Sequence, residues 1–97
     1  MKEVTDELAF WFCNSNGFVG IVAHSLAEFS KCLRTAPVDS LEFHFRDDKN
    51  DFEAWLNNVM GEPKLAASAD RLKKKALAGE KLRASVLRLA RRIEKLA

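Results

Sequence analysis

The last third of this chain sets the tightest constraint on what it can fold into. From Pro63 to Leu96 only Gly79 interrupts strong helix formers, at a cost of about 1 kcal/mol relative to Ala. Pro63 suits the first position of a helix, where its missing N–H is not needed. Run as one helix, those 34 residues would extend about 50 Å at 1.5 Å per residue. The chain has 97 residues, enough for one domain and not two. A body built from the other two-thirds is narrower than such a helix, so its far end needs cover from elsewhere.

The apolar pattern of this segment names a seam. With Leu72, Gly79, Val86 and Ile93 at heptad position a, position d takes Lys75, Leu82, Leu89 and Leu96. Lys75 and Gly79 spoil the first half. The second half, Leu82, Val86, Leu89, Ile93 and Leu96, combines β-branched a with Leu at d, which favours two parallel strands. These five residues are the expected interface of a homo-oligomer, a dimer foremost, or with a helical protein partner. Two and a half heptads fall short of the three or four that mark a coiled coil. Ala76, Ala84 and Ala90 also widen the stripe, so packing on the chain's own body is the alternative.

Charge divides at the same place. Met1–Glu62 carries five Lys/Arg against eleven Asp/Glu, a net of −6, whereas Pro63–Ala97 carries eleven against three, a net of +8. The chain reads as an acidic body, 1–62, and a basic amphipathic helix, 63–97, zipper-like from 82 to 96. Lys73, Lys74, Lys75, Arg88, Arg91 and Arg92 form a candidate polyanion-binding face, with nucleic acid as its partner. No interleaved aromatics and no Asn/Gln base readers accompany them, and basic residues also suit a helix C-terminus.

Short-range signals fill in the body. Leu8–Cys13 and Phe18–Val22 flank Asn14-Ser15-Asn16-Gly17, which predicts a β-hairpin, since Asn and Gly tolerate the positive φ of such turns. The run 8–13 is apolar on both faces and is expected to be covered on both sides. Ser25-Leu26-Ala27-Glu28 forms a capping box for a helix that ends before Pro37. Val38–Arg46 fits a strand by alternation or a short helix capped by Asp39 or Ser40. Asn50 caps a helix carrying Phe52, Trp55, Leu56, Val59 and Met60 on one face, with Gly61 as its stop.

Chemistry is sparse. Cys13 and Cys32 are too few for a disulfide framework or a four-cysteine metal site. No run approaches the roughly 18 apolar residues of a membrane span. The acidic start lacks a signal-peptide core, so a reducing, cytoplasmic setting is expected. The glycines fit no phosphate-binding loop, and no base stands near Ser25 or Ser40. The one cluster of interest is His44, Asp51 and Trp55. A His–Asp contact ordering a turn accounts for it more simply than a ligand or metal site. No catalytic residue, metal or cofactor is expected.

Four segments carry a resemblance: Phe10-Trp11-Phe12, Ser25-Leu26-x-x-Phe29, Val38-x-Ser40-Leu41-x-Phe43-His44, and Asp51-Phe52-x-x-Trp55-Leu56 running on to Val59-Met60-Gly61 and Leu65-Ala66. Over residues 8–66 the chain resembles a family of small prokaryotic domains of unknown function. The resemblance implies a helical setting for Ser40–Phe45 and draws attention to His44, Asp51 and Trp55. Glu62 stands where an Asp is expected after the glycine. Together these features predict an α+β domain, mostly α. Its hairpin packs on helices at about 25–35, 40–46 and 51–60, and a long amphipathic helix follows. The expected core is Phe10, Phe12, Leu26, Phe29, Leu33, Leu41, Phe45, Phe52, Trp55, Leu56 and Val59. The leading function is a non-catalytic interaction or oligomerisation module; nucleic-acid association is second and a small-ligand site third.

Overall fold

The computed structural model describes residues 2–96. Strands β1 (Phe10–Asn14) and β2 (Gly17–Ala23) form an antiparallel hairpin. Its turn is built as the sequence implies: the Asn14 side-chain carbonyl accepts from the Asn16 N–H at 2.8 Å, and Gly17 takes a φ of +117°. The register then shifts. Phe12 faces Ile21 but Cys13 faces Phe18, so Val19 and Gly20 bulge from the ladder, with Gly20 at φ +88°. Such a bulge breaks the pairing locally and re-aims the strand.

Only one face of the hairpin is covered. Phe10, Phe12 and Ala23 are buried, whereas Trp11 and Phe18 on the other face stay about half exposed, their rings 5.0 Å apart. Leu8 is also 53% exposed. The expectation of cover on both sides therefore fails. All the helices follow the hairpin, and those that meet it pack on its inner face, leaving the outer one without a layer.

Helix α1 (Leu26–Thr35) begins at Ser25, whose Oγ accepts from the Glu28 N–H, while the Glu28 carboxylate reaches back to the His24 N–H at 2.7 Å. Helix α2 (Val38–Phe43) settles the ambiguous segment as helix. It starts and ends earlier than the expected 40–46, because the Pro37 carbonyl already accepts from Ser40 and Leu41 and proline's fixed φ is compatible with a helix start. Helix α3 (Asp51–Ala54) is capped by Asn50, which accepts from the Glu53 N–H at 3.0 Å. It runs into a π-helical turn, Trp55–Val59, where the expected α-helix widens and Met60 N–H bonds the carbonyl of Trp55. Trp55, Leu56 and Met60 are buried, while Val59 and Phe45 pack only partly against the core.

The largest departure from the expected fold is at residues 75–78. The C-terminal third is not one helix. Helix α4 (Pro63–Lys74) stops, the chain turns through Ala76 at φ +53°, and α5 (Gly79–Leu96) runs back. A left-handed Ala costs about 1–2 kcal/mol. Against that, the reversal buries Leu82, Val86, Leu89 and Ile93 to 3% exposure or less, each contributing about 1.5–3 kcal/mol. Burial wins. The 18 residues of α5 span about 27 Å, which fits a body measuring 31 × 27 × 23 Å.

Polar contacts hold the returning helix. The Glu42 carboxylate accepts from the Gly79 N–H at 2.9 Å. Arg83 donates to the carbonyls of Leu33, Arg34 and Ala36 at the C-terminal end of α1. Arg34 and Glu94 form a two-pronged ion pair at 2.9 and 2.7 Å. One cluster of buried apolar residues runs from Phe10 to Ile93, so body and basic segment share a core. With 58% helix and 15% strand, the fold is α+β, mostly α, and it ends in a long helix.

Candidate functional site

The structure places the expected seam inside the molecule. Leu82, Val86, Leu89 and Ile93 are buried on a helix that packs against α1, α2 and α4; of the five only Leu96 is exposed, at 62%. Among the described residues the stripe is spent on the chain's own body, and only its last member stays open to solvent. That outcome follows from the turn at Ala76.

His44, Asp51 and Trp55 do come together. His44 caps the end of α2 and is buried among Phe10, Phe12, Phe43 and Phe52. Its Nε2 accepts the Cys13 N–H at 3.0 Å, an amide beside the register shift in β1, and its Nδ1 donates to the Asp51 carboxylate at 2.8 Å. Both ring nitrogens are therefore engaged, and the neutral tautomer follows from these partners. Burial pushes the His44 pKa down, partly opposed by Asp51. Arg46 also donates to Asp51, at 3.4 Å, while lying over the Phe43 ring. The Trp55 indole N–H donates to the Leu8 carbonyl at 2.8 Å. Among the described residues no three His, Cys, Asp or Glu side chains are grouped to hold a metal ion. The cluster pins hairpin, α2 and α3 together, with both ring nitrogens of His44 and the indole N–H of Trp55 engaged in doing so.

The basic face divides into structural and unpaired members. The Lys73 ammonium donates to the carbonyls of Phe45, Asp47 and Lys49, closing the loop before α3. Lys74 pairs with Asp70 at 3.0 Å. Arg91 is exposed and contributes its charge beside Glu94. Lys75, Arg88 and Arg92 instead line a groove between α4 and α5, together with Arg71, Ser68 and Ser85 over a floor of Leu72 and Leu89. Its volume is about 260 Å³.

The groove follows from the αα-hairpin. Arg71 on α4 and Lys75, which caps its end in a helical conformation, lie one turn apart, as do Arg88 and Arg92 on α5, and such i,i+4 pairs share one face. The reversal brings the two rows opposite each other. Arg71 and Arg92 converge on the Ser68 hydroxyl, at 3.1 and 3.3 Å. Among the described residues no carboxylate lies within ion-pair distance of Arg71, Lys75, Arg88 or Arg92. Like charges brought to one point repel each other. An anion between them would reverse that sign. Arg71, Ser68 and Ser85 escaped the sequence reading because they come from both sides of the turn. The available signal was the pair of i,i+4 cation spacings.

No characterised protein and no solved structure matches the chain. A family model does match, over residues 1–91, which extends beyond the motifs at 8–66 into most of α5. By that match, the chain belongs to the family of unknown function DUF5752.

Proposed function

We propose that this chain is a non-catalytic binding module whose α4–α5 groove holds the phosphate backbone of a nucleic acid. The observation that carries the reading is the convergence of Arg71 and Arg92 on one neutral oxygen, with Lys75 and Arg88 beside them and no acidic side chain lining the groove. A solvated helix face needs no such convergence. Guanidinium groups suit phosphate, because their fork matches its oxygens. The absence of base-reading side chains makes the expected binding tolerant of sequence.

Fluorescence anisotropy with a labelled duplex tests this. Four phosphate contacts give a log–log salt slope of about −3.6, roughly a 150-fold loss of affinity between 50 and 200 mM salt. Arg88→Glu with Arg92→Glu should abolish binding. No binding by the native chain at low salt would end the proposal.

A second reading, self-association, keeps the expected homo-oligomer but moves its contact to the hairpin. Trp11 and Phe18 make an exposed apolar pair on the outer face of the hairpin, and Leu8 just before β1 is exposed too; exposed apolar surface of this kind marks protein contacts. A two-fold pairing would set this patch against its own copy. Sedimentation of the native chain and of Trp11→Ser with Phe18→Ser decides it: a monomer at all concentrations removes the reading.

A further inference from the structure

We infer that the end of the groove formed by Ser68, Arg71 and Arg92 is a discrete site for a single phosphate group, a step that rests on the groove being the anion-binding face. The Ser68 hydroxyl already occupies the point where both guanidinium groups reach, at 3.1 and 3.3 Å. A neutral oxygen there accepts from two cations anchored on different helices. A phosphate oxygen at the mouth of the same groove would accept from the same two groups with charge assistance. Ser68 itself donates to the Lys64 carbonyl at 3.3 Å, a long bond it can exchange for one to the phosphate. Each guanidinium carries five N–H donors, of which Ser68 takes one from each. Leu72 and Leu89 close the floor at 6% and 3% exposure, so the group sits at the rim with its remaining oxygens in solvent. Lys75 and Arg88, one turn further along, add charge without converging on that point.

The shared chemistry is a phosphate oxygen cluster, and its source is either a nucleic-acid backbone or free phosphate. The test uses the full chain and ³¹P NMR titration with inorganic phosphate, followed by displacement of a labelled oligonucleotide by phosphate. Arg71→Gln and Arg92→Gln should each weaken phosphate binding about tenfold or more, as removing a charge-assisted hydrogen bond does. Lys31→Gln with Lys81→Gln, which removes two exposed charges elsewhere on α1 and α5, should change it less than twofold. Unchanged melting temperatures exclude misfolding. Displacement of the oligonucleotide supports the site with the backbone as its source; phosphate binding without displacement supports it with free phosphate as the source. Equal losses from the arginine variants and the lysine pair, or no phosphate binding by the native chain, overturn the discrete site. If steeply salt-dependent oligonucleotide binding persists in that case, the basic groove stands without it; if that binding is missing too, both proposals fall.

Discussion

Leu89 and Leu96 hold the same heptad position, so a two-stranded seam would make them matter about equally. The folded chain separates them: Leu89 is 3% exposed within the core and Leu96 is 62% exposed. Truncating Leu89 to Ala removes buried methyl groups and leaves a cavity, at about 2–5 kcal/mol. Against the roughly 5–15 kcal/mol that holds a domain together, that is a large fraction. Each kcal/mol moves Tm by about 4–8 °C at this size, so Leu89→Ala should melt at least about 8 °C below the native chain. Leu96→Ala should stay within about 0.5 kcal/mol, as surface changes do. Circular-dichroism melts at two protein concentrations about twentyfold apart check both points, since stability from a contact between copies depends on concentration. Equal losses from the two variants, or a Tm that rises with concentration in the native chain but not in Leu96→Ala, would refute burial of this stripe within one chain.

His44→Ala strands the Cys13 N–H and takes one donor from the Asp51 carboxylate, and should cost about 1–3 kcal/mol in urea denaturation. Burial holds the His44 pKa below its ordinary 6.5, so as pH falls below that value the unfolded chain takes up a proton that the folded one refuses. Stability should then fall by up to about 1.4 kcal/mol per pH unit, and His44→Ala should remove that slope. His24 has the opposite sign: hydrogen bonds to Asp6 first and Glu28 second raise its pKa. Its contribution is present below pH 6.5 and is lost as pH rises through the raised value, which ring titration by NMR will show directly. Ala76→Gly should stabilise by about 0.5–1 kcal/mol, the left-handed penalty relieved less the entropy of glycine; a loss would mean that residue 76 is not left-handed.

Much of the body was legible from local chemistry. The Asn14–Gly17 turn, the Ser25 and Asn50 caps and the stop at Gly61 depend on residues within a few positions of one another, and each formed where the side chains call for it. The segment Val38–Arg46 was not legible, because alternation and helical spacing both fit so short a run. The resemblance pointed to helix, and the acceptor at Pro37 explains where it begins. His44 could be singled out by its aromatic neighbours. Its contact with Asp51 could be expected from the turn between them, but its bond to Cys13 could not, because the hairpin packing on α2 brings that amide to it.

The sequence alone determined that residues beyond Pro63 are helical, amphipathic and basic, since propensity, periodicity and charge are properties of neighbouring residues. Where that helix breaks was decided by the tertiary structure. The strain of one left-handed alanine is small beside the burial of four apolar side chains against the rest of the molecule, and no local rule records that surface. The same reversal turns a seam into a core and two separate rows of cations into one groove.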